Sequence, residues 1–191
     1  VLSHIPSQLR DRIERAGLTY IRYYFERDRK LEFLNSFSNA HQTWMEVFGT
    51  ASRSEVEVQC RDQGISLEWL PDGGARLRNT LPAFRTHPVT GEQLWVNQAH
   101  TFNHYAKNIG LISSLIASVF YADPTKFMHR IELGTGEPLN REAVHTLLTA
   151  YQKGTTRFAW ERGDVLLLDN YIVCHGRDPY LGRRSLMTAM Y

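Results

Sequence analysis

Apolar positions along this chain recur with two periods, and the places where the period changes mark its elements. Residues 5–17, "IPSQLRDRIERAG", put Leu9 and Ile13 on one helical face, with Pro6 and Ser7 suited to a first turn and Gly17 to an exit. The next run, "LTYIRYYF", is rich in β-branched and aromatic residues and reads as a strand. "NAHQTWMEVFG" and "SRSEVEVQCRDQG" read as two short helices, the second opening after Ser52 or Ser54 and stopping near Gly64. "ISLEWLPDGGARLRNTLPAF" alternates around Pro71-Asp72-Gly73-Gly74, the signature of a β-hairpin with a longer loop. A second turn, Pro88 to Gly91 in "FRTHPVTGEQLWVNQ", precedes a strand "QLWVN". Helical periodicity returns in "NIGLISSLIASVFY" and in "NREAVHTLLTAYQKG", where Val144, Leu147 and Leu148 form the apolar face. The end of the chain predicts three strands, "DVLLLD", "YIVCH" and "RSLMTAMY", with a loop "DPYLG" before the last. Helices set between groups of strands and turns predict an α+β fold with an antiparallel sheet core.

Composition narrows the classes of function. At 191 residues the chain is long enough for one domain with a proper core, and no repeat, linker or low-complexity tract divides it. A formal charge of +2 without a basic run argues against nucleic-acid and membrane-surface binding. Cys60 and Cys174 lie far apart, with neither CxxC nor zinc-type spacing, which suits a reduced, cytoplasmic chain. The longest mainly apolar run, "IGLISSLIASVFY", is too short to cross a bilayer.

The candidate chemistry lies in the closing segment. Strand parity puts Tyr171, Val173, His175 and Arg177 on one face and Arg184, Leu186, Thr188 and Met190 on one face of the last strand. Read alone, a single histidine in an apolar strand is most often a hydrogen-bonded core or surface residue, and Arg183-Arg184 an ordinary surface pair in a turn. If the two faces line one cavity, the reading changes. A buried guanidinium then needs an anion, and its planar fork fits a carboxylate at two points. The pattern asks for a metal-binding or proton-handling histidine beside a carboxylate-bearing ligand. Other histidines carry less. His87, in the turn "THPVTG", reads as structural, while His100 and His104 are four apart but lack a third metal ligand.

"HPVTGEQLWVN", followed about sixty residues later by "WERGDVLLLDN" and "HGRDPYLGRRSL", resembles the taurine dioxygenase family of iron(II)- and 2-oxoglutarate-dependent oxygenases. The nearest flavour is the subgroup with clavaminate synthase-like proteins and the syringomycin-pathway aspartyl hydroxylase. The resemblance is tightest over residues 82–103 and 160–191. It implies a double-stranded β-helix, or jelly-roll, with flanking helices, and an iron held by two histidines and a carboxylate. Matched by position, His175 is the distal histidine ligand and Arg184 the arginine that pairs with the far carboxylate of 2-oxoglutarate. Asp169-Asn170 matches the turn ahead of the ligand strand. Asn97 falls in a strand flanking the pocket, in reach of substrate. Arg177 either orients substrate or forms a peripheral salt bridge.

The resemblance has a gap. The family supplies its other two iron ligands as His-x-Asp or His-x-Glu, upstream of the region resembling "IPSQLRDRIERAGL". The histidines here are followed two places on by Pro6, Thr43, Val89, Phe102, Ala106, Ile131, Leu147 and Arg177, none a carboxylate. The chain is therefore expected to be a single oxygenase-like domain over residues 1–191 whose N-terminal part is missing, matching roughly the C-terminal two thirds of such an enzyme. The implied activity is hydroxylation of an unactivated C–H bond in a small amine, amino acid or carrier-tethered amino acid, with iron(II) and 2-oxoglutarate. The expected partner is that small molecule, with no nucleic acid and no membrane, and a homo-oligomer is compatible. Two alternatives stay open: a non-catalytic β-helix scaffold that lost its iron site, and an iron-dependent halogenase variant.

Overall fold

The structure is a computed structural model and describes residues 1–26, 42–100, 129–176, 178, 181–182 and 187. Helix α1, Ser7–Ala16, ends where Gly17 takes a φ of 69°, a left-handed conformation that favours glycine, and the chain turns directly into strand β1, Leu18–Tyr24. Helix α2, Trp44–Phe48, is opened by a capping box: the Thr43 hydroxyl accepts from the Glu46 N–H, and the Glu46 carboxylate accepts from the Thr43 N–H. Ser52 caps helix α3, Arg53–Asp62, in the simpler way, its hydroxyl accepting from Glu55. Strands β2, Ser66–Trp69, and β3, Ala75–Leu81, form the first hairpin; β4, Phe84–Thr86, and β5, Gln93–Trp95, form the second. Strand β6, His129–Leu133, and helix α4, Arg141–Lys153, complete the named elements, α4 being capped by Asn140.

Strand β1 is central. It pairs antiparallel with β3 on one side and with β6 on the other, giving a four-stranded sheet of order β2-β3-β1-β6. One face carries Leu18, Tyr20 and Tyr24 from β1, Ala75 and Leu77 from β3, and Ile131 and Leu133 from β6. At the Leu18 end this face packs on Ile13 of α1, on Val144 and Leu147 of α4, and on Phe84 and Trp95 of the second hairpin. At the Tyr24 end it packs on Trp44 of α2 and on Val56 and Cys60 of α3. The opposite face is mixed, with Ile21 and Tyr23 buried there beside its polar residues. Thr19 and Thr80 share a hydrogen bond of 2.7 Å across β1 and β3, and the buried Glu132 carboxylate takes the Arg78 guanidinium reaching over β1.

Strand β6 was not legible as a strand. Its five residues, "HRIEL", send only Ile131 and Leu133 into the core, while Arg130 and Glu132 interrupt the apolar pattern and face the polar side. The other main difference lies at the end of the chain. Residues 164–169 and 171–175, expected as strands, are not strands: Val165 is 93% exposed and Leu167 90%. A strand persists only where neighbours take its N–H and C=O groups, and no described strand runs beside this segment. The expected helix at 108–121 lies outside the described residues, as does the expected strand at 184–191 apart from Met187. The described residues are therefore α+β with antiparallel sheets. Among them, no helix is long and apolar enough to cross a membrane, and Cys60 and Cys174 are both free.

Leu147 is fully buried between α4 and the sheet, so Leu147→Ala should cost about 2–5 kcal/mol through lost burial and a residual cavity. Val89→Ala, at an 86% exposed turn position, should stay within about 0.5 kcal/mol. Urea denaturation checks both, and comparable losses for the two would contradict this placement of the core.

Candidate active site at the 169–175 turn

The second hairpin is built around His87. Its backbone closes the turn, its N–H donating to Glu92 O at 2.8 Å and its carbonyl accepting from Gly91 at 3.0 Å. Its ring, 6% exposed, does more: Nδ1 accepts from the Thr90 N–H at 3.0 Å and from the Val89 N–H at 3.3 Å. Two donors converging on Nδ1 require its lone pair there, which places the ring proton on Nε2. Nε2 lies 3.2 Å from Asp169 Oδ2 and donates to it. Residues 82 positions apart are thereby joined, one in the hairpin and one in the closing segment.

Asp169 uses its other atoms to fold the residues after it. Oδ1 accepts from the Tyr171 N–H at 2.9 Å, an Asx-type turn, and its carbonyl accepts from Ile172 and Val173, each at 3.1 Å. The Tyr171 ring stands edge-on to His87, with centroids 6.0 Å apart. The Tyr171 N–H, and after it the His87 hydrogen bond, hold the Asp169 carboxyl below its usual pKa against an opposing desolvation. His175 comes two residues after this folded stretch, with its side chain exposed.

A second cluster supports the same region from behind. The Tyr151 hydroxyl, on the last turns of α4, donates to Asn97 O at 2.5 Å and accepts from Trp95 Nε1 at 2.8 Å. Its ring lies 3.7 Å, centroid to centroid, from that of His100, and the Cys174 thiol is beside its hydroxyl. Burial raises the Tyr151 pKa well above the tyrosine range, and Cys174 reinforces the shift. Asn97, the expected substrate contact, is 8% exposed, and both ends of its amide meet backbone: Nδ2 donates to Ala83 O at 3.1 Å and Oδ1 accepts from Ala99 at 3.0 Å. Trp95, Asn97 and Tyr151 thus lock the hairpin to α4. The "LWVN" run pointed to two of them. Tyr151 had only its place one residue past buried Ala150 on an amphipathic helix.

Of the expected site residues, His175 and Asn97 are described and the structure does not bring their side chains together; Arg177 and Arg184 lie outside the described residues, as does His104. Among the described residues, no group of three or more histidine, cysteine, aspartate or glutamate side chains is placed to hold a metal ion. The described residues thus fit an iron centre only in part, offering one imidazole, His175, on a turn whose backbone is fixed from two sides.

Compared with known proteins, residues 1–191 match the family described as taurine catabolism dioxygenase TauD, TfdA family. The chain belongs to the TauD/TfdA family. Among curated TauD/TfdA-like relatives, it is 32% identical over 165 residues to the dapdiamide synthesis protein DdaC of Enterobacter agglomerans, covering 86% of this chain and 49% of that protein. It is 29% identical over 202 residues to a clavaminate synthase-like protein of Arabidopsis thaliana, covering 100% of this chain and 54% of that protein. The chain spans about half the length of the curated relatives it matches. For a TauD/TfdA chain, the contact between the "HPVTG" turn and the "LLLDN" turn is the structural link between the two sequence motifs that carried the resemblance.

The Tyr151 cluster yields a test. A phenol whose folded pKa is raised contributes stability that is complete below about pH 10, the unfolded tyrosine value, and is lost as pH rises toward the folded value. The Tyr151→Phe chain should therefore lose less stability between pH 9 and pH 11 than the unaltered chain does, as measured by urea midpoints. Equal alkaline losses in the two would show that Tyr151 ionises as an ordinary exposed tyrosine.

Proposed function

We propose that this chain is part of an iron(II)- and 2-oxoglutarate-dependent oxygenase, forming a single domain that hydroxylates an unactivated C–H bond. The observation that carries this reading is the family match over residues 1–191, together with an exposed His175 directly after a turn tied to the family's other motif. In this reading His175 is an iron ligand through a neutral imidazole. Arg184 holds the far carboxylate of 2-oxoglutarate by a two-point hydrogen bond. The bound iron and co-substrate supply the oxygen chemistry; the chain supplies ligand placement, orientation and a site shielded from water. Arg177, two residues after the ligand in sequence, is a substrate-side residue in this reading, while Asn97 acts only indirectly, through the backbone clamp that shapes the hairpin.

The double-stranded β-helix belongs to the same reading. Exposed Val165 and Leu167 are apolar surface of the kind that a closed pair of sheets would bury. The substrate class is a small amine, amino acid or carrier-tethered amino acid. The names of the two relatives, a dapdiamide synthesis protein and a clavaminate synthase-like protein, suit chemistry on small amino-acid-derived molecules.

Measured on the complete gene product, His175→Ala should abolish iron-dependent conversion of 2-oxoglutarate to succinate. Arg184→Ala should raise the 2-oxoglutarate concentration needed for half-maximal turnover much more than the iron concentration. Turnover that survives in His175→Ala would remove the ligand assignment. An unaltered protein that binds 2-oxoglutarate without iron, or neither, would favour the scaffold reading.

A further inference from the structure

We infer that His87 is a positioning residue for His175, acting by fixing the Asp169 turn from which the His175 side chain is displayed. The inference deepens the proposed function, since it needs His175 to be a ligand. Its structural half stands by itself.

The hydrogen bonds of His87 exceed what its own turn requires. A surface turn such as 87–92 needs no imidazole to close it, because the backbone bonds from His87 to Glu92 and from Gly91 to His87 already do so. The ring is nevertheless buried, and each of its nitrogens is used: Nδ1 for two N–H groups of its own turn, Nε2 for a carboxylate from another part of the chain. The first pair of bonds sets the tautomer, so the second can form only with the ring proton pointing at Asp169. Among described neighbours of the 169–173 turn, no regular strand or helix bonds it; the His87 contact is the side-chain bond from the folded core that meets its carboxylate. Asp169 divides its two oxygens, Oδ2 toward His87 and Oδ1 toward Tyr171, so whatever orients the carboxylate also orients the turn. His175 is held between two tethers, this one six residues before it and the Cys174–Tyr151 contact just before it, so loosening the Asp169 end frees one side of the segment that carries it. Outer hydrogen bonds that orient a metal-bearing segment matter to metal affinity for the same reason.

Three variants separate this role from general folding. His87→Ala removes the ring. His87→Gln keeps an N–H donor that can reach Asp169. Asp169→Asn leaves His87 in place but turns one carboxylate oxygen into a donor, so the bonds from His87 and Tyr171 are no longer both matched.

Hydrogen exchange of the Tyr171, Ile172 and Val173 amides is measured first, on the metal-free complete gene product. His87→Ala and Asp169→Asn should each exchange several-fold faster there than the unaltered protein, while amides of β1 and β3 stay unchanged. The double variant should add little to either single one, as for two residues sharing one interaction. Next, iron(II) with 2-oxoglutarate is titrated by its visible absorption. His87→Ala should weaken iron affinity by about 10–100-fold, and His87→Gln should restore most of it. Unchanged exchange in both single variants overturns the anchor. Faster exchange with unaltered iron affinity overturns the positioning role. Failure of the unaltered protein to bind iron overturns the oxygenase reading instead, and the exchange data then decide the anchor separately.

Discussion

Strand β1 must find a partner on each side, and the described fold is organised around that constraint. Its two antiparallel ladders bring β3, which ends at Leu81, and β6, which begins at His129, into one sheet. Because facing residues share a side, the pairing also sorts apolar Leu18, Tyr24, Ala75, Leu77, Ile131 and Leu133 from polar Thr19, Thr80, Arg78 and Glu132. A slip of one residue would turn Leu18 and Tyr24 away from the helices and bring Thr19 against them. Helices α1 and α4 can then cover one end of the apolar face and α2 and α3 the other. The second hairpin sits against α1 and α4 through Phe84 and Trp95, and that position puts His87 within reach of Asp169.

Local signals in the sequence were good guides where the structure depends on local chemistry. Ser52 and Gly17 marked helix ends because their reasons, a hydroxyl for orphan N–H groups and a backbone free to adopt positive φ, need no distant partner. The Pro71–Gly74 turn was readable for the same reason. Its closure by Asp72, which takes the Tyr23 hydroxyl at 2.9 Å, was not, since that bond joins residues 49 positions apart. Strand β6 was missed because Arg130 and Glu132 interrupt its apolar pattern, and the partner of Glu132, Arg78, lies on another strand. The apolar run at 164–175 shows the reverse error. Its composition favours strand, but composition cannot supply the neighbour that a strand requires.

For the site, type was easier to read than role. His175 was singled out from its setting in an apolar run and from the family resemblance; the match over residues 1–191 supports the family. Asn97 was expected in a strand flanking the pocket, but it lies two residues past the end of β5 and its amide is spent on Ala83 and Ala99, so it shapes the hairpin. His87 looked like a turn residue and is one; that its second nitrogen serves a distant carboxylate is visible only in three dimensions. The two motifs behind the resemblance thus have a physical connection. One supplies an imidazole of fixed tautomer, the other the carboxylate that receives its proton's hydrogen bond and then folds the chain toward His175.

The central claim is that His175 grips a metal ion. Crystals of the complete gene product grown with iron(II), measured on either side of the iron absorption edge, test it without reference to turnover. The account predicts an anomalous peak within bonding distance of a His175 ring nitrogen. An ordered His175 with no such peak, or iron bound elsewhere in the protein, would contradict it.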